Sequence, residues 1–415
     1  MKIKNVIFSK GYTGFFFDDQ KAIKAGAKHD GFDYVGKTMT PGFKRIRVAG
    51  ESVSIILVLE NGQYASGDAC AVQYSGAGGR DPLFLADNYI SLMEKELKPK
   101  LIGRKLENFR EIAAEFDALT FKGKPMHMAI RYGLSQALLH GVALAKNKLP
   151  AEVILEEYKL PTKLKRVPIF GQSGDDRYNN SDKMILKGID VLPHALINSV
   201  PEKLGTKGEK LEAYVKWLAK RVKQLRSDKK YVPDLHIDVY GTIGIAFDHD
   251  PKKIVKYLKK LEKAAGDHQL YIEGPVDMGE KQKQIEVLRA ITVELNKEKC
   301  SVKIVADEWC NTYEDIVDFT DAKCCHMVQI KTPDLGSIHN VVESVLYCQQ
   351  HGMEAYQGGT CNETDVSART CVHLAVATQA KRMLAKPGMG LDEGFHIVNN
   401  EMGRILAILK AKSKK

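Results

Sequence analysis

From about Val167 onward, short apolar stretches alternate with longer amphipathic ones. VPIFGQ, DVLPHAL, LHIDVYG, QLYIEGP, VKIVADEW, HMVQIK and EAYQGG each read as a short strand. Between them, apolar positions recur every three or four residues. Leu211, Tyr214, Val215, Leu218, Val222 and Leu225 fall on one helical face, and Ile338, Val341, Val342, Val345 and Leu346 on another. Asp250-Pro251 marks a helix start, since Asp caps and proline suits the first helical position. Strand-helix alternation over about 240 residues predicts parallel strands joined by crossover helices. The length suits a (β/α)8 TIM barrel. An open doubly wound sheet is the competing α/β fold. The Gly-rich SGAGGRDP from Ser75 does not favour it, because that segment follows a hairpin and lacks GxGxxG spacing.

Residues 1–160 follow a different pattern. SVSIILVLE, Asn61-Gly62 and QYASGDAC predict a β-hairpin with a type I′ turn. FLADNYISLMEKELKPKLIG and HMAIRYGLSQALLHGVALAK predict helices. The Gly-rich, aromatic stretch GYTGFFFDDQKAIKAGAKHDGFDYVG reads as a long loop around a short helix. Its Phe15, Phe16 and Phe17 would anchor it over the barrel mouth. The expectation is an N-terminal α+β domain over 1–160 and a barrel domain over 161–415 with a C-terminal helical tail. The last residues, KAKSKK, read as a frayed end.

With 415 residues, the chain exceeds one ordinary core, and its 44% hydrophobic and 27% charged residues are a globular balance. The net charge of +10 admits a nucleic-acid partner, but the lysines are spread along helices, as in KKIVKYLKKLEK, without interleaved aromatics. A solvated surface, or a basic site for an acidic small molecule, fits better. The eight cysteines form no C-x-x-C pair, which argues against structural zinc. MKIKNVIFSKGY has no signal-peptide core, and no apolar run is long enough to span a membrane. A cytoplasmic protein with reduced thiols is expected.

The candidate chemistry sits at strand ends. Asp238, Glu273 and Asp307 close three successive strands, 35 and 34 residues apart, one strand-helix unit each. Alone, each reads as a turn or cap residue. In a barrel, all three would converge at the C-terminal face, where mutual repulsion calls for a cation. Hard oxygen ligands point to Mg²⁺ or Mn²⁺. In the next strand Gln329 and Lys331 share one face while Val328 and Ile330 share the other. A lysine inside a barrel mouth pays for desolvation with a lowered pKa, which suits a general base. GGTCNETD then offers Thr360 and Cys361 at another strand end, with His194 and Gln172 near two earlier ones.

Strand-end Asp, Glu and Asp followed by lysine is the enolase-superfamily arrangement. QYSGAGGRDPLFLA, QSGDDRYNNSDKMI, VLPHALIN, LHIDVYGTIG, IVADEWCNT, HMVQIKTPDLG, GGTCNET and LAKPGMGLDEG narrow it: the chain resembles the methylaspartate ammonia-lyases, from its start to about residue 405. The resemblance implies a modified (β/α)8 barrel under an N-terminal capping domain. It also implies reversible elimination of ammonia from L-threo-3-methylaspartate to mesaconate in glutamate degradation, by C3 proton abstraction through an enediolate. The implied cofactors are Mg²⁺ and an activating monovalent cation such as K⁺, and the implied assembly is a homodimer. Asp238, Glu273 and Asp307 would hold the metal. Lys331 would be the base, with His194 across the substrate. Gln172, Gln329, Thr360 and Cys361 would bind carboxylates, Gln73 would sit near the amino group and Leu384 near the methyl group. A superfamily racemase or cycloisomerase is the nearest alternative. Such enzymes resemble this fold but carry a Lys-x-Lys pair at the second barrel strand, where this chain has His194; Lys163 and Lys165 precede the first strand. A nucleic-acid-binding protein is the remote alternative.

Overall fold

The computed structural model describes residues 1–413. Its N-terminal part is built on a three-stranded antiparallel sheet, with Arg47–Leu59 between Ile3–Asp18 and Tyr64–Ala69. Alternate residues of the central strand, Val53, Ile55, Leu57 and Leu59, face the core. Helix Met128–Ala145 packs on Tyr64–Ala69 and is apolar nearly all round, as an element buried on several sides must be. The approach needs glycine on both partners. A Cβ on Gly67 would lie 2.2 Å from the Gly133 carbonyl, and one on Gly133 would lie 2.3 Å from Ala69 N.

Eight parallel strands close the barrel in chain order: Ile169–Phe170, Val191–His194, Asp234–Asp238, Leu270–Glu273, Lys303–Ala306, Met327–Ile330, Glu354–Gln357 and Arg382–Leu384. The last pairs with the first. The period-two pleat gives two apolar layers. Leu192, Ile237, Ile272, Ile304, Val328 and Ile330 face the helices and join the main core. Phe170, Val191, Tyr271, Val305, Met327, Tyr356 and Leu384 fill the interior as a separate cluster. Asp250 caps helix Pro251–Ala265 as expected, its side chain accepting from the amides of Lys252 and Lys253.

Several local expectations need correction. The Gly-rich aromatic segment is not mainly loop. Strand Ile3–Asp18 runs through Phe15, Phe16 and Phe17, and only then come helix Gln20–Lys24 and the small hairpin Lys28–Asp30 with Asp33–Val35. Alternating apolar side chains along an edge strand were masked by its glycines and lysines. The hairpin at Asn61-Gly62 is real, but Gly62 alone has positive φ, at 84°. Glu60 lengthens the loop, so a type I′ turn with two left-handed residues is not needed. The stretch read as one helix from Phe84 is interrupted: Ala86–Leu92 passes through a wider π turn, Met93–Leu97, into Lys98–Leu101. The eighth barrel strand, Arg382–Leu384, escaped the pattern because it is three residues long and begins with arginine. Helix Asp392–Lys412 extends into KAKSKK, with Ser413 as its cap, so residues 410–412 are helical and not a frayed end; residues 414–415 lie outside the described ones.

Candidate active site

The C-terminal ends of the barrel strands surround a small cavity of about 60 Å³. Gln73, Gln172, His194, Asp238, Asp307, Gln329, Lys331, Thr360, Cys361 and Leu384 all line it. Glu273 lies just beneath, fully buried. The structure thus brings together every residue singled out in the sequence.

Asp238 and Glu273 end the third and fourth barrel strands in register, and Asp307 directly follows the fifth. A carboxylate oxygen from each lies within 4.8 Å of the others. Burial raises all three toward the protonated form; neighbouring acids add to this, taking Asp238 and Glu273 well above the usual carboxylate range, while at Asp307 the Lys331 charge is the first offset. Three buried acids held this close, with one ammonium against them, are chemically suited to a hard divalent cation. Glu273 is further fixed by Gln329 Nε2, by the Tyr356 hydroxyl at 3.3 Å, and by His236 Nε2 at 2.7 Å from its Oε2.

Lys331 Nζ sits 2.7 Å from Asp307 Oδ1 and 4.0 Å from Glu308 Oε1. Burial lowers its pKa, but these two carboxylates outweigh burial and raise it overall. This corrects the expectation that desolvation alone makes the lysine neutral: without a cation among the acids, Lys331 is an ammonium. His194 is pushed down to about 4, by burial first and by the Lys331 charge second, so it is neutral at ordinary pH. His194, Ala195 and Leu196 all have positive φ, at 69°, 70° and 51°. Three strained non-glycine residues in a row persist only where their surroundings over-determine them, a feature of functional sites.

Gln172 Nε2 donates to the Ala385 carbonyl at 3.2 Å. Gln329 is committed to Glu273 through Nε2, while its Oε1 is buried without a partner. Cys361 Sγ donates to Gln73 Oε1 at 3.5 Å, and burial pushes this thiol up to about 12. Gln73 Nε2 in turn donates to Asp18 Oδ2 at 2.7 Å, and Arg47 holds Asp18 through two bonds of 2.7 Å. Leu384 adds an apolar wall from the eighth strand.

Sequence reasoning missed Arg80, Glu308, Tyr74 and Tyr240, which also line the cavity. Arg80, from the Gly-rich loop of the N-terminal part, donates to Glu308 at 2.9 Å and Asp334 at 2.8 Å. Burial would raise Glu308, but Arg80 and then Lys331 hold it down to about 2. The Glu immediately after Asp307 in ADEW was the available signal; its partner on a distant loop was not. A second chamber adjoins the first, between helix Gln20–Lys24 and the barrel loops around Asp277 and Trp309. Lys24 and Asp277 approach to 3.5 Å across it, which sets the N-terminal segment over the barrel mouth.

The family models for the methylaspartate ammonia-lyase N-terminus and C-terminus match residues 1–159 and 161–411. The chain belongs to the methylaspartate ammonia-lyase family. It is 62% identical over 412 residues to the methylaspartate ammonia-lyase of Citrobacter amalonaticus, covering 99% of this chain and 100% of that one. To the Clostridium tetanomorphum methylaspartate ammonia-lyase it is 56% identical over 409 residues, 99% of each. The Citrobacter amalonaticus structure containing (2S,3S)-3-methylaspartic acid superposes with a TM-score of 0.98 at 62% identity, over 99% of this chain and 100% of that one. The Clostridium tetanomorphum Mg-complex gives 0.96 at 56% identity, again over 99% and 100%. The L-Ala-D/L-Glu epimerase of Bacillus subtilis, 17% identical with a TM-score of 0.65 over 95% of this chain and 91% of that one, shares the enolase-type fold. The family is one of carbon–nitrogen lyases, so this member is an enzyme. Among the described residues, no helix is long and apolar enough to cross a membrane.

Proposed function

We propose that this enzyme eliminates ammonia reversibly from L-threo-3-methylaspartate, giving mesaconate. The observation that carries the reading is the lysine set against three converging buried carboxylates at the barrel mouth, in a chain 62% identical over its full length to a methylaspartate ammonia-lyase. The substrate's C3 proton is α to a carboxylate and weakly acidic. Lys331, as the free amine, takes that proton, and the electron pair left at C3 forms the double bond as ammonia leaves C2. Asp238, Glu273 and Asp307 are the residues that would hold Mg²⁺ or Mn²⁺. When bound, that cation supplies positive charge against the negative charge building on the substrate carboxylate and competes with the Lys331 ammonium for Asp307.

The remaining side chains bind and orient. Neutral His194 hydrogen-bonds the substrate from the opposite side of the cavity. Gln172, Gln329, Thr360 and Cys361 hold carboxylates, Gln73 faces the amino group and Leu384 packs on the methyl group. The bonded chain Cys361–Gln73–Asp18–Arg47 supports a fixed place for Gln73. The high pKa of the Cys361 thiol supports binding over nucleophilic attack. Residues 1–160 act as the cap and those from 161 as the catalytic barrel. The family likeness supports K⁺ activation, a homodimer, a cytoplasmic location and a place in glutamate degradation.

The test is ultraviolet detection of mesaconate formed from 3-methylaspartate, with and without Mg²⁺. Metal-dependent absorbance growth is expected. Its absence, with racemisation or cycloisomerisation of a carboxylate instead, would replace this reading by the superfamily alternative.

A further inference from the structure

The barrel mouth holds a second charged cluster with no part in the chemistry above. Lys386 and Glu363 are both fully buried, and Nζ donates to Oε1 at 2.8 Å. The other two Nζ hydrogens go to Thr332 Oγ1 at 2.8 Å and the Gly358 carbonyl at 2.9 Å. Glu363 is equally committed. Its Oε1 also accepts from the Thr332 hydroxyl at 3.0 Å and the Thr360 amide at 3.3 Å. Its Oε2 accepts from the Tyr132 hydroxyl at 2.7 Å and the Ser367 hydroxyl at 3.0 Å. Neither charged side chain lines the cavity.

A buried ion pair is seldom more stabilising than apolar residues of the same volume. The atoms that this pair joins supply another reason for it. Thr332 is the residue after Lys331. Gly358 and Thr360 follow the seventh barrel strand and lead into Cys361. Lys386 follows the eighth strand, and Tyr132 comes from the N-terminal helix Met128–Ala145. The backbone is shaped around the pair. Gly359 has φ +131°, and a Cβ there would lie 2.3 Å from Glu363 Oε1 and 2.4 Å from Lys386 Nζ.

We propose that Lys386 and Glu363 are positioning residues: through Thr332 they fix the backbone carrying Lys331, and through Gly358 and Thr360 they fix the Thr360–Cys361 segment, holding base and carboxylate-binding loop in one relative geometry. The proposal rests on the reading of Lys331 as the base. The pair itself touches no substrate atom and moves no proton. The effect of its Thr332 arm belongs to kcat, because a displacement near 1 Å between a reacting group and a bound substrate lowers rate by up to about 10²-fold.

Thr332→Val tests the link, since it preserves shape and both charges while removing the hydroxyl that joins them to the Lys331 segment. In the Mg²⁺-loaded enzyme kcat should fall by about tenfold or more while KM stays within about twofold. Mg²⁺ affinity by calorimetry should be unchanged, and Thr332→Ser should restore kcat. A parental kcat in Thr332→Val, or a loss that Thr332→Ser does not recover, would overturn the proposal. Should Thr332→Val fail to fold, the double variant Glu363→Gln/Lys386→Met carries the same test, with lowered kcat expected at retained Mg²⁺ affinity and parental kcat refuting. Lys331→Ala run alongside separates the two readings. If it turns over at the parent rate, the base assignment fails; if it is inactive while Thr332→Val is fully active, only the positioning role fails.

Discussion

Replacing Lys331 by methionine should abolish catalysis and strengthen metal binding at once. The side chain keeps an unbranched apolar stem, one atom shorter, but loses the ammonium that sits 2.7 Å from Asp307 Oδ1. Two unit charges about 4 Å apart interact by about 4 kcal/mol at an effective dielectric near 20. A divalent cation entering among Asp238, Glu273 and Asp307 meets that ammonium as a like charge and as a rival for Asp307. Relief of only a third of such an interaction, about 1.4 kcal/mol, is a tenfold gain in affinity. Mg²⁺ titrated into Lys331→Met by calorimetry should therefore bind at least about tenfold tighter than into the parent. Turnover should fall by about 10²–10⁴-fold or more, the usual consequence of losing a general base. The deciding assay is deuterium exchange at C3 of the threo substrate, which reads proton abstraction without C–N cleavage. Exchange at the parent rate would show that another group is the base. Weaker Mg²⁺ binding would show that the ammonium supports the cation site instead of competing with it.

Three further outcomes are expected. Asp238→Ala, Glu273→Ala and Asp307→Ala should each lose Mg²⁺-dependent turnover while leaving a folded protein; normal activity in any one at modest Mg²⁺ would refute the three-carboxylate site. Cys361→Ala should keep measurable activity with a raised KM, and complete loss in a folded protein would contradict a binding role. His194→Ala should weaken turnover and sharpen preference for the threo over the erythro substrate, read by C3 exchange in both diastereomers; abolition of threo exchange in this variant alone would make His194 the base.

The carboxylates were legible because barrel geometry turns a linear repeat into a cluster. One acid per strand-helix unit, always at the strand end, has a single spatial meaning once the strands are parallel. Gln329 and Lys331 were legible for the same reason, since alternation within Met327–Ile330 fixes which side chains face inward. Gln73 and Leu384 could not be reached that way: one lies outside the barrel repeat, and the other sits on the strand that the pattern missed. That strand begins with Arg382, which is 1% exposed and bonded to Asp234, so a charge that signals surface in sequence is here part of the barrel interior. Burial alone does not give the direction of the Lys331 shift in the metal-free site, because Asp307 and Glu308 oppose it at distances that are tertiary facts.

Arg80 shows why the N-terminal part belongs to the site and not only to its cover. Asp307 and Glu308 are consecutive and both line the cavity with Asp238, above buried Glu273, so the barrel by itself places four acids at its mouth. Three carboxylates against a divalent ion and a lysine leave a site able to accept a substrate carboxylate. A fourth free carboxylate would repel it. Arg80 reaches from the Gly-rich loop to pair with Glu308 at 2.9 Å, and Asn311 ties the same loop by donating to the Gly78 carbonyl at 2.8 Å. The guanidinium also pairs with Asp334, three residues beyond Lys331, so one buried cation engages the loops that carry Asp307 and Lys331. Arg80, and after it Lys331, keep Glu308 ionised and paired, and the three acids that converge within 4.8 Å are Asp238, Glu273 and Asp307. The barrel thus supplies the reactive groups, and a residue from the other part of the chain decides how much negative charge they present.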